Sequence, residues 1–255
     1  MGHRPGHRHH HRRHPGPHDP HRHPRARRLL ERLLGRAARD PRPRVGLMGL
    51  WTDRILPHVI DHACGDERLD PLREHAMLGL HGAVVELGFG SGSNVGRYPA
   101  TVDRILAVEP SDEAWRMSAD VRRTAAVPVE RIGLDGARID LADGAADCVL
   151  STFTLCTIPD VDGALREAAR VLAPGGTLHL AEHGLSPEPK VAAWQHRLDR
   201  TQQRVFGGCH LTRDPRALLA AAGFVSAEVE SAYVEDLPRM AAPWSYGYAG
   251  FARRP

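Results

Sequence analysis

From His81 onward the chain alternates short apolar runs with stretches of helical periodicity. The runs at 83–87 (AVVEL), 104–109 (RILAVE), 129–134 (VERIGL), 146–151 (ADCVLS) and 176–182 (GTLHLAE) have the length and composition of strands. Between them, amphipathic stretches at 111–124 and 162–172 predict helices, with shorter helical turns near 93–98 and 136–141. Further on, 187–205 and 213–222 read as helices, 224–231 as a strand, and the alternating aromatics of 244–251 as a last strand. Apolar strands separated by crossovers of this length predict an α/β fold, a parallel sheet covered by helices on both faces. Open sheets of this kind bind ligands outside the carboxyl ends of their strands, where the strand order switches.

The N-terminal pattern is different. Met1 to about Pro24 is dominated by His, Arg, Pro and Gly and carries too little apolar surface to offset the entropy of ordering. This segment is expected to be disordered. Its histidines would capture metal ions adventitiously, but nothing in it fixes a geometry, so no functional metal is expected. Leu29, Leu30, Leu33 and Leu34 follow at helical spacing among arginines, in keeping with a short solvated helix over 25–39, and Asp40-Pro41-Arg42-Pro43 reads as a linker. Ordered structure is expected to begin near Met48, which divides the chain into a tail over 1–44 and one domain over 45–255.

Charge follows the same division. The formal net charge is +3, yet residues 1–44 hold 13 Arg against 3 acidic residues, and the remainder holds 21 Lys plus Arg against 28 acidic residues. A mildly acidic globular part argues against a nucleic-acid-binding catalytic face, which needs clustered Lys and Arg. Cys64, Cys148, Cys156 and Cys209 show no CxxC spacing, as suits reduced thiols. The sequence has neither an apolar run of membrane-spanning length nor a signal-peptide pattern, so the expected location is the cytoplasm and no integral membrane segment is foreseen.

The candidate ligand loop is Glu86-Leu87-Gly88-Phe89-Gly90-Ser91-Gly92, followed by Ser93-Asn94-Val95, which can open a helix. Gly88, Gly90 and Gly92 let the backbone turn sharply and approach a ligand closely. A Gly-rich turn after a strand also serves nicotinamide and flavin proteins. Two details favour another ligand: the spacing is GxGxG with Ser93 where a third small residue would serve a pyrophosphate, and the acidic Glu86 precedes the turn. Glu86 is suited to the ammonium group of a zwitterionic amino-acid moiety. Glu109, at the end of the next strand, can accept both ribose hydroxyls of NAD or of S-adenosylmethionine, and would repel the 2′-phosphate of NADP. Asp135-Gly136 could meet an adenine edge, or Asp135 could cap a helical turn.

Four stretches then match one family in order: the loop 86–92, Glu109-Pro110, Leu141-Ala142-Asp143-Gly144-Ala145-Ala146-Asp147, and Arg170-Val171-Leu172-Ala173-Pro174-Gly175-Gly176. Together they resemble the class I S-adenosylmethionine-dependent methyltransferases, and the RVLxPGG turn is the most specific of them. The resemblance covers about 80–182. It implies a Rossmann-like, mostly parallel sheet of seven strands with the last antiparallel, and S-adenosylmethionine as cofactor. It places Glu86, Gly88, Gly90, Gly92, Glu109, Asp135, Gly136 and Ser151 in the cofactor site.

A narrower likeness reaches the C-terminus. Ser151-Thr152-Phe153-Thr154-Leu155-Cys156, Glu182-His183 and Gly208-Cys209-His210-Leu211-Thr212-Arg213, with Asn94 and Tyr98-Pro99, resemble the methyltransferase-like 7 group, whose members act on alkyl thiols. Those proteins begin with an apolar anchor where this sequence has its His/Arg-rich segment, and they carry Cys where Phe89 stands.

The expected reaction is in-line methyl transfer to a small molecule, the acceptor being an alkyl thiol, an amine or a lipid head group; the alternative is a non-catalytic S-adenosylmethionine-binding module. The donor is already activated, so the protein supplies alignment and desolvation, and for some acceptors a base. His183 and His210 are the candidate bases, each equally readable as a pocket-lining histidine. Cys156 and Cys209 read as small apolar pocket or core residues. The sequence fixes no oligomeric state.

Overall fold

The computed structural model describes residues 47–254 together with Gly2. The tail over 1–44, the helix expected at 25–39 and the linker lie outside the described residues.

The strands β1 (Gly82–Leu87), β2 (Val102–Val108), β3 (Val129–Gly133), β4 (Ala146–Thr152), β5 (Leu172–His183), β6 (Val225–Tyr233) and β7 (Tyr246–Arg253) form one sheet. Their order is β3-β2-β1-β4-β5-β7-β6. The pairs among β1 to β5 are parallel, and β7 runs antiparallel between β5 and β6. The sheet is thus mostly parallel with its last strand reversed, as expected. The order switches at β1 and β4, where the chain departs from β1 toward β2 on one side and returns to β4 on the other.

Alternation along the strands sends side chains into two cores, one on each face. Val85, Leu87, Leu106 and Val108 join one with Leu165, Ala168 and Leu219. Val84, Ile105 and Ala107 join the other with Ala76, Met77 and Leu80. Burial on both faces is why these strands read as nearly continuous apolar runs.

The helices flank this frame. Leu47–Leu50, Trp51–Ile55 and Leu56–Cys64 run on as one helical stretch whose middle part is π-type; the last segment is α1. Then come α2 (Asp70–Met77), α3 (Asp112–Met117), α4 (Ala119–Arg123), α5 (Val161–Val171), α6 (Pro189–Val205) and α7 (Pro215–Ala221). Local signals set several starts. Asp160 accepts from the Gly163 N–H at 2.9 Å to cap α5, Asp214 caps α7, and Pro189 and Pro215 stand at first positions where no N–H is needed. Among the described residues no helix is long and apolar enough to cross a membrane.

The structure departs from the sequence pattern in three places. The segments 93–98 and 136–141 form turns, not helices. In the first, Gly92 and Gly96 take φ of +86° and +92°, and the bonds Val95 N–H to Gly92 O and Arg97 N–H to Asn94 O each close only a three-residue step. In the second, the Asp135 side chain accepts from the Ala137 N–H at 2.9 Å and fixes a local turn. Lastly, the Pro174-Gly175-Gly176 segment lies within β5 as a bulge: Ala146 pairs with Leu172 and Cys148 with Thr177, so five residues of β5 span two of β4. Gly175 carries φ of +81° there.

Candidate active site

A cavity of about 810 Å³ opens at the switch point, where the segments following β1, β2 and β4 meet α1 and α2. This is the volume of a site for a cofactor-sized molecule.

Its floor is the Gly-rich turn. Gly88 and Gly90 take φ of +68° and +61°, a region that L side chains rarely occupy, and a Cβ on Gly88 would stand 2.2 Å from Thr154 Oγ1. Glycine is therefore required at 88 by both conformation and space. Gly90 also brings its N–H to Glu109, whose Oε2 accepts at 2.7 Å, while Oε1 accepts from the Ser111 N–H at 2.7 Å. Glu109 is 4% exposed and lines the cavity. Burial raises its carboxyl above the ordinary value, and the two N–H donors oppose that shift. Each oxygen keeps a lone pair for an outside donor.

Glu86 lies one layer deeper. It is 1% exposed, and its oxygens accept from Asn94 Nδ2 at 2.7 Å and from the Tyr98 hydroxyl at 2.5 Å. Asn94 Nδ2 also donates to Thr152 Oγ1 at 2.9 Å. With both amide hydrogens so engaged, Asn94 lines the cavity and its Oδ1 is buried with no partner among the described residues. Burial holds the Glu86 carboxyl at about 7, against the pull of Tyr98 and Asn94.

A further lining residue is Arg73, which the sequence pattern did not single out. It projects from α2, is 2% exposed, and lines the cavity with its guanidinium 4.9 Å from the Phe153 ring. Its Nε and Nη1 are buried with no partner among the described residues. Phe153 itself has φ of +53° at the end of β4, a conformation uncommon for a bulky residue. Asp61, on α1, accepts from the Ser91 hydroxyl and so ties the N-terminal helix to the Gly-rich turn.

Of the other expected cofactor residues, Gly92 ends the turn and is not among the residues lining the cavity, while Asp135 and Gly136 line it, although the Asp135 carboxylate is engaged with Ala137. Ser151 is fully buried and donates to Glu182 Oε1 at 2.7 Å. Glu182 Oε1 also accepts from the Thr154 and Leu155 N–H groups at 2.9 and 3.0 Å, so this carboxylate holds the chain where it leaves β4. Burial raises its carboxyl, and those N–H donors offset part of the rise.

The two candidate bases separate. His210 turns its Nδ1 toward Asp199 of α6 at 3.7 Å. His183 Nε2 lies 3.2 Å from Cys209 Sγ, and its Nδ1 is buried without a partner among the described residues. Cys156 joins this pair. The hydrogen bond from Cys156, together with the bond from His183 and its charge, holds the Cys209 thiol below its ordinary range against the effect of burial. Burial disfavours a charged His183, but the contact with Cys209 outweighs it and raises the imidazole. Residues 156, 183 and 209 come from three segments far apart in sequence, which explains why spacing gave no sign of the cluster.

The comparisons with known proteins agree with this geometry. Residues 85–180 match the family model described as a methyltransferase domain. The chain is similar to the human protein thiol S-methyltransferase TMT1A, at 29% identity over 178 residues, covering 66% of this chain and 70% of that protein. It is similar also to thiol S-methyltransferase TMT1B of Rattus norvegicus, at 30% identity over 151 residues, where it spans 62% of the relative's length and the match takes in 58% of this chain. Among solved structures, a Thermotoga maritima S-adenosylmethionine-dependent methyltransferase, described as a possible histamine N-methyltransferase, superposes with a TM-score of 0.57 at 18% identity. That match covers 81% of this chain and 100% of the other and speaks for the fold alone. The ordered strands, the Gly-rich turn with Glu109 beside it, and these matches together identify residues 85–180 as a methyltransferase domain, carried on the fold of S-adenosylmethionine-dependent methyltransferases.

Proposed function

We propose that this chain transfers a methyl group from S-adenosylmethionine to a small-molecule thiol. One observation carries the cofactor half of the reading. Along a single cavity lie an unpartnered buried guanidinium edge (Arg73), an unpartnered buried amide oxygen (Asn94 Oδ1), and a carboxylate with free lone pairs (Glu109). Buried polar groups without partners are costly. These three complement, in turn, a carboxylate, an ammonium and a pair of ribose hydroxyls. Glu86 then acts through Asn94: by accepting from Nδ2 it leaves Oδ1 free to accept.

When bound, the cofactor supplies a methyl group on a sulfonium, already activated for displacement. The chain's own part is to hold the amino-acid end with Arg73 and Asn94, hold the ribose with Glu109, exclude water, and seat the acceptor along the line of displacement. A thiol acceptor, with an ordinary pKa near 8.5, loses its proton with little help. That suits a cavity whose lining includes neither His183, turned toward Cys209, nor His210, turned toward Asp199. The thiol is favoured over an amine or a lipid head group by the two relatives that carry thiol S-methyltransferase names.

The test has two arms. Calorimetry should show S-adenosylmethionine and S-adenosylhomocysteine binding, with NAD inert and Arg73→Met weakening both ligands by roughly 10–100-fold, the range for charge-assisted bonds. A methyl-transfer screen against alkyl thiols, amines and phospholipid head groups should show turnover of thiols. Turnover of amines alone would overturn the acceptor assignment, and NAD binding in place of both other ligands would overturn the cofactor assignment.

A further inference from the structure

Cys156, His183 and Cys209 form a cluster that methyl transfer to a thiol does not require. Each offers one ligand atom, and the three atoms lie within 4.8 Å of one another. Cys156 follows β4, His183 ends β5, and Cys209 follows α6, so the cluster sits at the carboxyl edge of the parallel sheet. Both cysteines are buried, at 3% and 7% exposure. The backbone around them is tied down: the His210 N–H donates to Cys156 O at 2.9 Å, the Cys209 N–H to Phe206 O at 3.0 Å, and the Leu155 N–H to Glu182.

We propose that Cys156, Cys209 and His183 bind a thiophilic divalent cation of the zinc class. Two sulfurs and an imidazole nitrogen are the donor set that selects zinc over magnesium or calcium. Tetrahedral coordination at Zn–S of about 2.3 Å and Zn–N of about 2.0 Å places ligand atoms roughly 3.5–4 Å apart. The cluster needs only small adjustments to reach that spacing, and fixed backbone on all three segments spares most of the ordering entropy. Coordination also answers a polar imbalance. Two thiols and the imidazole Nε2 packed together have only weak hydrogen bonds to share. On binding, each cysteine sulfur gives its lone pair to the cation, and any thiol proton is released to solvent. Three protein ligands leave a fourth position. The cluster lies behind the cavity wall, since Phe153, Thr154 and Thr157 flank Cys156 in sequence, Gly207 precedes Cys209, and all four line the cavity. The proposal does not depend on which acceptor is methylated.

The experiment uses the full-length reduced protein and cobalt(II) alone as the probe. The N-terminal histidines will also take cobalt, but imidazole ligands give no sulfur-to-cobalt charge-transfer band, so that band reports the cluster. It should saturate at one cobalt per chain, bleach on addition of zinc, and be lost in Cys156→Ser and Cys209→Ser while persisting in Cys148→Ser. Circular dichroism and S-adenosylhomocysteine binding check that each variant is folded. X-ray absorption on the wild-type zinc-loaded protein gives a second reading that needs no variant, with sulfur scatterers expected at about 2.3 Å. A wild-type protein without the band, a band that survives in the Cys156→Ser/Cys209→Ser double variant, or a zinc shell of nitrogen and oxygen only would each overturn the proposal.

Discussion

The two walls of the cavity are built by opposite means. The donor-side wall is mostly backbone and local in sequence: the turn 88–91 leaves β1, and Glu109, just past the neighbouring β2, reaches back to the Gly90 N–H. The wall beyond β4 and β5 is side chain and remote in sequence, held by Glu182 through the Thr154 and Leu155 N–H groups and backed by the Cys156–His183–Cys209 cluster. A backbone wall tolerates most side chains but no Cβ at its closest point. A side-chain wall tolerates backbone variation but fails when its central group is removed. The two walls therefore respond to different kinds of substitution.

The largest effect is expected at Gly88. Gly88→Val places a branched side chain in left-handed backbone, where a Cβ would stand 2.2 Å from Thr154 Oγ1. It should abolish S-adenosylhomocysteine binding in calorimetry and lower the melting temperature, whereas Phe89→Leu in the same turn should leave binding measurable. If Gly88→Val binds normally, the donor wall is not made of backbone.

Next is Glu182→Ala, which strands the Thr154 and Leu155 N–H groups and the Ser151 hydroxyl in the interior. At about 1–3 kcal/mol for each of the three buried groups left unpaired, denaturant unfolding should show a loss of roughly 3–9 kcal/mol. A loss below about 1 kcal/mol would show that this carboxylate does not organise the exit from β4.

Glu86 sharpens the comparison through pH. Its carboxyl is held at about 7 by burial, above the ordinary 4.5. The folded chain therefore binds that proton more tightly than the unfolded chain, so stability falls as pH rises between about 4.5 and 7. The effect amounts to roughly 3 kcal/mol. His179 acts in the opposite sense. Burial depresses its imidazole to about 4 from the ordinary 6.5, so stability is lost as pH falls through that window. Melts of Glu86→Gln across this range should lose the decline toward neutral pH and keep the decline toward acid. An unchanged profile would remove Glu86 as its source.

The smallest effect is at Glu109. Glu109→Ala should weaken S-adenosylhomocysteine by roughly 1.5–3 kcal/mol through lost charge-assisted bonds. Calorimetry is the measurement, and unchanged affinity would show that this acid does not meet the ribose.

The parts of the site that could be read from the sequence are those made locally. The Gly-rich turn, Glu109 and the Asp135-Gly136 turn could be located because a strand followed by glycines, or by an acid at the next strand's end, encodes its own geometry. Glu86 was visible as an acid but not as a group facing Asn94 and Tyr98, because a strand end does not reveal which neighbour its side chain meets. Arg73 gave no signal. On a short helix between Leu72 and Glu74 it reads as a surface residue, and tertiary packing, with the Phe153 ring among its neighbours, buries it.

The sequence by itself determined the α/β class, the strand positions and the Gly-rich turn that lines the cavity, because periodicity and glycine placement act within a few residues. Tertiary structure alone decided the bulge that carries Pro174 to Gly176 into β5, the approach of Arg73 to Phe153, and the meeting of Cys156 with His183 and Cys209. Those contacts join residues tens of positions apart, and their formation depends on the strand order β1-β4-β5, which no local pattern records.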